Sequence, residues 1–305
     1  MKNMLAIVIP FYKAIFFRET LNSLVSQTNK KFKVYIGNDA SPDSIDELVK
    51  EYSDYLELSY TCYENNLGHK SLVSHWKRCL ALIKQEAWFM ILCDDDILSP
   101  NYVESFYNNI NKIEQSNSKV IRYSSILISD TGEEISEPYK HPVIENSIDS
   151  YVRKAKGFTR SSLSEYVFKN DIDDVNKVFI DFPNAYYSDD LSILLASNFG
   201  DIYSINEAFF YFRRGNYNLS GVNSDVVKGK KAEFLFYKYL FKNYSNLISP
   251  KQKQIFLFRL NRQVVFNKSF EVYRFALKEQ FKIFDIKGIL YLPLLILKKG
   301  LWRKQ

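Results

Sequence analysis

Short apolar segments alternate with helix-spaced ones through the first third of the chain. Leu5–Phe11, Phe32–Asn38, Leu56–Cys62 and Ala87–Cys93 are apolar or β-branched runs of strand length. Between them Phe17, Leu21, Leu24, Val25 and Thr28 recur at helix spacing, as do Val73, Trp76, Leu80 and Ile83, and again Val103, Phe106, Ile110 and Ile113. Strand–helix alternation at this pitch predicts βαβ units and a mainly parallel sheet. Further on, Ser124–Ser129 with the Thr131-Gly132 turn reads as a hairpin, and residues 138–160 read as polar loop. Ser188–Asn198 reads as a helix, Asp201–Ile205 and Ala208–Arg213 as strands, and everything from Val226 onward as helical.

In such sheets ligands sit beyond the carboxyl ends of the strands, and the polar clusters fall there. Asp94-Asp95-Asp96 follows the fourth apolar run. Three adjacent carboxylates repel one another and raise each other's pKa unless a cation is present. A hard divalent ion removes that cost and leaves positions for phosphate oxygens. The plainer alternative is an acidic turn in which Asp96 or Ser99 caps a helix starting near Pro100. Asn38-Asp39-Ala40-Ser41-Pro42-Asp43 follows the second run. A carboxylate there can accept the imide N–H of uracil or thymine, or the segment is an Asx turn and helix cap. Asp189 and Asp190 open the helix at Ser188, as a general base or as partners of the helix dipole. Arg213 and Arg214 end a strand, as a clamp for phosphate or carboxylate or as surface ion-pair partners.

Composition narrows the class. Hydrophobic residues are 46% of 305 and the mean hydropathy is −0.25, as for a soluble globular chain with a sizeable core. Three cysteines without a CxxC pair fit a reducing compartment. The apolar stretch at the N-terminus is too short for a signal peptide, so a cytoplasmic catalytic region is expected. Residues 226–305 carry 18 Lys and Arg against 4 Asp and Glu; subtracting these from the whole-chain 41 and 35 leaves 23 and 31 for residues 1–225. An acidic body thus bears a strongly basic tail, suited to anionic lipid. Its aromatic residues have the helical spacing of a core or membrane face, so nucleic acid is not expected as a partner.

Taken in order, these motifs resemble the family 2 inverting glycosyltransferases, the group that includes many O-antigen and capsule sugar transferases. Ala6 to Tyr12 is similar to that family's opening strand, and Asn38 to Asp43 to its Asp-Asp-Gly-Ser-x-Asp element with Asn38 and Ala40 as departures. Asn65-Asn66-Leu67-Gly68 resembles its Asn-x-Gly, and Leu92 to Leu98 its Leu-Asp-x-Asp-Asp, with Cys93 in place of the first Asp. Ser188-Asp189-Asp190 is similar to its Glu-Asp base motif, and Phe212-Arg213 with Asn218-Leu219-Ser220 to its closing pattern. The resemblance covers about residues 4–221 and implies a GT-A, Rossmann-like mainly parallel mixed sheet flanked by helices, with a C-terminal helical appendage. It implies a catalytic domain over 1–225, its nucleotide-sugar half about 1–115 and its acceptor half about 116–225. By position it implies that Pro10 and Tyr12 shape the base pocket, Asp39 binds the base and Asp94 lies near the ribose. Asp95 would lead in holding Mn2+ or Mg2+ with Asp96 in support, and Asp190 would be the base, with Asp189 as fallback. The implied reaction is a metal-dependent single displacement from a nucleoside diphosphate sugar, UDP-sugar favoured, to a glycan acceptor that is lipid-linked.

Residues 226–305 are expected to dock on the inner face of the plasma membrane and bring the active site to that acceptor. Ile286 to Lys299 has an apolar core too short to span a bilayer. Lys298, Lys299, Arg303 and Lys304 with Trp302 and Tyr291 have the composition of an interfacial anchor. Upstream, Phe256, Leu260, Val264 and Val265 share helix spacing beside Lys253, Arg259, Arg262 and Lys268. A helical lid or a dimer interface is the alternative. Two rival classes are a non-catalytic membrane-associated scaffold and a sugar nucleotidyltransferase. The second needs a Gly-rich phosphate loop after the first strand, where Pro10 to Ala14 has no glycine.

Overall fold

The structure, a computed structural model, describes residues 4–171, 175–215, 217, 225–267 and 269–298. These form two compact units, one made of 1–150, 159–181 and 188–224, the other of 151–158, 182–187 and 225–305. The second unit therefore takes two short segments from the stretch that the sequence assigns to the catalytic domain.

The first unit opens with β1 (Leu5–Phe11), α1 (Phe17–Val25), β2 (Phe32–Asn38), α2 (Asp46–Ser53), β3 (Leu58–Cys62), α3 (Leu72–Leu80) and β4 (Trp88–Ile91). There follow β5 (Ile97–Leu98), α4 (Tyr102–Gln115), β6 (Val120–Ile128), β7 (Ile144–Asn146) and α5 (Ser147–Ala155), whose residues from 151 on belong to the second unit. Next come β8 (Tyr166–Lys169), α6 (Val175–Val178), α7 (Ser188–Ala196) and β9 (Asp201–Arg213). The nine strands make one sheet in the order β3-β2-β1-β4-β8-β6-β9-β5, with β7 paired to β9. β3, β2, β1 and β4 are parallel, as the alternation of periods predicts. β8 lies antiparallel to both β4 and β6, which makes the sheet mixed.

β1, β2 and β4 are buried on both faces because helices cover the sheet, hence their apolar runs, while β3 at the edge is only part-buried. Leu5, Ile7, Ile9 and Phe11 pack with Phe17, Leu21 and Leu24 of α1 in the core. Three expectations are corrected. Residues 138–160 are not loop throughout but carry β7 and the whole of α5, whose polar outer face hid its period. The hairpin expected at Ser124–Ser129 is a minor part of β6: a turn returns through isolated bridges at Glu134 and Tyr139, while the long pairings run to β8 and β9. The two strands expected at 201–213 are one, β9, whose register against β6 shifts after Tyr123.

The second unit contains α8 (Val226–Asn243), α9 (Pro250–Asn267), α10 (Phe270–Lys282) and α11 (Ile286–Lys298). Asp225 caps α8 by accepting from the Lys228 amide at 3.0 Å. Phe234, Phe236, Tyr237, Leu240, Phe256, Leu257, Leu260 and Val264 are buried. The stripe of Phe256, Leu260 and Val264 is thus core and not a face open to lipid. The side chain of Val265 lies outside the described residues. So do Lys299, Trp302, Arg303 and Lys304, and the Asn218-Leu219-Ser220 element.

Candidate active site

The acidic triplet sits in the turn between β4 and β5, at the middle of the sheet. Leu92 donates its amide to Val8 O at 2.8 Å, the last main-chain tie before the chain leaves the sheet. From there the three carboxylates point to different partners. Asp94 Oδ2 accepts from the amides of Tyr12 and Lys13 at 2.7 and 2.8 Å, which stitches this turn to the loop after β1. Asp96 is buried: its Oδ2 accepts from the Ser164 hydroxyl at 3.1 Å and its Oδ1 from the Arg213 amide at 3.1 Å. Asp96 therefore does not cap α4, whose first turn is closed by the Tyr102 amide on Ser99 O. Ser164 also accepts from the Cys93 amide at 3.1 Å, so one hydroxyl holds both ends of the turn.

Burial of three adjacent carboxylates here raises their pKa values. Burial pushes Asp95 up to about 7, with the charge of Asp94 adding to it. Burial also raises Asp94, and lifts Asp96 well above the ordinary carboxylate range with help from Asp95. Cys93 is raised too, chiefly by burial, so its thiol stays protonated. One ligand atom each from Cys93, Asp95 and Asp96 lies within 4.8 Å of the others. Two carboxylates that gain from a counter-charge, beside a neutral thiol, suit a hard divalent ion bound through oxygen.

At the other end of the site Asp39 is buried after β2. Its carboxylate accepts from the Leu67 and Gly68 amides at 2.7 and 2.8 Å and pairs with Arg78 of α3. Arg78 lies over the Tyr63 ring, 3.9 Å from its centroid, and donates to Asn65 O and to His75 Nδ1. Gly68 is required: a Cβ there would stand 2.5 Å from Asp39 Oδ2. The Asx-turn reading also holds nearby, since Ser41 donates its amide to Asn38 Oδ1 and Ala40 has φ 51°.

A pocket of about 420 Å³ joins the two ends. Of the residues expected at the site, Pro10, Tyr12, Asp39, Asp94, Asp95 and Asp96 line it. Asp189, Asp190, Arg213 and Arg214 do not. Asp190 is buried in the first turn of α7, Asp189 partly exposed, and the charge of Asp190 is felt at Tyr166 on β8. The clamp expected of Arg213 is corrected. Its side chain is 1% exposed, donating to Asp95 O at 2.9 Å, to Ser129 O and Asp130 O, and pairing with Glu19 at 2.6 Å. It braces the acidic turn from inside. Arg214 is exposed at the end of β9.

Several pocket residues escaped the sequence reading. Lys13 lines it and donates from Nζ to Tyr217 O at 2.6 Å, while the Tyr217 ring meets Phe16 edge-on. His75 and Trp76 enter from α3. His75 had a signal, a polar residue one position from Trp76 on an apolar helical stripe; Ser164, inside a serine-rich loop, had none.

A model of the family described as glycosyl transferase family 2 matches residues 6–182. Uncharacterized glycosyltransferases of Rickettsia prowazekii and Rickettsia typhi are each 30% identical over 128 residues, 42% of this chain. That match spans 37% of each relative's own length. Among solved structures, S. aureus TarS 1-349 in complex with UDP aligns with a TM-score of 0.61 at 16% identity, over 86% of this chain and 72% of that one. The same protein in complex with UDP-GlcNAc aligns with a TM-score of 0.58 at 14% identity, over 99% and 93%.

Proposed function

The chain belongs to glycosyl transferase family 2, and from that premise we propose that it transfers a sugar from a nucleoside diphosphate sugar to a hydroxyl group of a glycan acceptor, with inversion. Its fold is the expected GT-A, Rossmann-like one with a helical appendage. The observation that carries the reading is the single pocket lined by Asp39 at one end and Asp94, Asp95 and Asp96 at the other. That pairing suits a ligand with a polar base at one terminus and a polyanion at the other. UDP and UDP-GlcNAc in the TarS structures support a UDP-sugar here.

Asp39 Oδ2 accepts one amide and keeps a lone pair for the imide N–H of a uracil ring. Pro10 and Tyr12 flank that ring, and Asp94 faces the ribose. Asp95 and Asp96 would hold Mn2+ or Mg2+, which would supply counter-charge for a departing diphosphate. Asp190 takes the proton of the attacking hydroxyl, with Asp189 beside it in the same helical turn. Positioning of the acceptor and electrostatic relief of the leaving group account for most of the rate. The acceptor is a lipid-linked glycan of surface polysaccharide synthesis, and the protein works on the inner face of the plasma membrane. The basic excess of residues 226–305 supports the last point; no helix among the described residues is long and apolar enough to cross a membrane.

The test is turnover of a panel of nucleotide sugars, with manganese and with chelator. A UDP-sugar should be consumed only with metal, and Asp95→Ala should abolish this while the far-ultraviolet circular dichroism stays unchanged. Normal turnover by the alanine variants at 94, 95 and 96 alike sinks the metal assignment. No turnover of any donor by the wild type, with donor binding retained, favours a scaffold.

A further inference from the structure

Helix α11 turns an apolar face outward. Among its described side chains, 286–294, Leu292 is buried, while Ile286, Leu290 and Leu294 are 67%, 64% and 55% exposed and share one side at i, i+4, i+8 spacing. A helix packed on a core has the reverse distribution. The patch extends beyond α11. Phe281 and Phe284, just before it in the chain, are 58% and 86% exposed, and exposed Phe258 of α9 stacks on Tyr291 with ring centroids 6.3 Å apart. Contiguous apolar surface of this kind marks an interaction site.

Charge identifies the occupant. Neither α9 nor α11 contains an Asp or Glu. On α9 the exposed side that carries Phe258 also carries Lys251 and Arg262. On α11 Lys287 is exposed at i, i+4 and i, i+7 spacing to Tyr291 and Leu294. The carboxylate at the head of α11, Asp285, accepts from the Gly288 amide at 3.2 Å and so serves the helix start. Phe281 also rims a groove that holds Arg274 and Lys278, its one carboxylate, Glu271, being paired with Lys238 at 2.7 Å.

We propose that this face of α9 and α11 docks on an anionic phospholipid bilayer, with its rings and aliphatic chains at the acyl–headgroup boundary and Lys251, Arg262 and Lys287 at the lipid phosphates. Thirteen residues of helix reach only about 20 Å, against a hydrocarbon core of about 30 Å. Such a helix lies in the interface and does not span. A second copy on the same face would set like charges against each other across a two-fold axis. This deepens the membrane reading above, on which it rests, and moves docking from the α9 stripe, which is core, to the side of α9 and α11 that faces outward.

The test is sedimentation of the full chain with phosphatidylcholine vesicles, with and without phosphatidylglycerol, at low and high salt. The wild type should pellet only with the anionic vesicles and come off as salt rises. Leu290→Gln with Leu294→Gln should weaken binding by roughly tenfold or more. Arg262→Glu with Lys287→Glu should weaken it by about fivefold per reversed charge. All four positions are exposed, so circular dichroism and turnover of the soluble donor should match wild type. Variants that bind like wild type remove this face from docking while membrane association stands. A wild type that ignores anionic vesicles sinks both readings. A concentration-dependent dimer dispersed by Leu290→Gln hands the face to a second copy and overturns the proposal.

Discussion

Gly68 and Asp39 decide one another. The amide of Gly68 approaches the carboxylate closely because no Cβ intervenes, and an added one would displace it. Gly68→Ala should therefore raise the donor KM several-fold with little change in kcat, measured by steady-state kinetics. Asp190 has the opposite signature. Removing a general base costs on the order of 100- to 10,000-fold in kcat, so Asp190→Asn should show that loss with donor affinity intact. Normal transfer by Asp190→Asn with loss in Asp189→Asn moves the role one residue back. His75 carries a pH prediction. Burial lowers it from 6.5 to about 4. Between those values the unfolded chain binds a proton that the folded chain refuses, so stability declines as pH falls through the window. The full loss is on the order of 3 kcal/mol. Denaturant melts near pH 7 and near pH 4 should show the decline in wild type and a flatter response in His75→Asn, whose amide oxygen still accepts from Arg78.

Among the elements, β1, β2 and β4 were legible because burial on both faces leaves little polar to interrupt them, and β3, an edge strand, by its alternation of Leu58, Tyr60 and Cys62 with Ser59 and Thr61. β1 and β2 fall where the apolar runs put them, and β3 and β4 are shorter by a residue or two at their ends. β8 was missed because its four residues lie inside a segment whose other signals are polar. The acidic turn was legible as a site but its supports were not. Local charge announces Asp94 to Asp96, whereas nothing near Ser164 says that it meets the turn, nor near Glu19 that it pairs with the bracing Arg213. Those supports carry a prediction. Ser164→Ala leaves a buried Asp96 oxygen without its donor, which should cost about 1–3 kcal/mol of stability. If Ser164 also orients Asp96 toward a cation, the variant should need more manganese for half-maximal UDP binding, read by calorimetry. Ser164→Thr should restore part of both.

For the whole molecule, the counter-charge on the acidic turn should appear as linkage. A ligand at a hundred times its Kd stabilises the fold by about 2.7 kcal/mol. UDP with manganese should thus raise the thermal midpoint by more than UDP alone, and Asp95→Ala should erase the difference. Because Asp95 must shed its proton before it can hold a cation and its pKa stands at about 7, manganese affinity should climb as pH rises through that value.

The brace formed by Arg213 has a consequence in time. Its guanidinium meets the Asp95 carbonyl across 118 positions of sequence, and its amide meets Asp96. β9, which brings it there, lies parallel to β6, a pairing closed only after β7, α5, β8 and α7 have been made. Contacts this remote form slowly, since long loops must close before they are rewarded. On a ribosome adding about 5–20 residues per second, the acidic turn emerges several seconds before the residue that secures it. Competence to hold a cation is then a late event of folding, and a nascent chain halted before β9 would carry all three carboxylates yet lack the clasp that sets them.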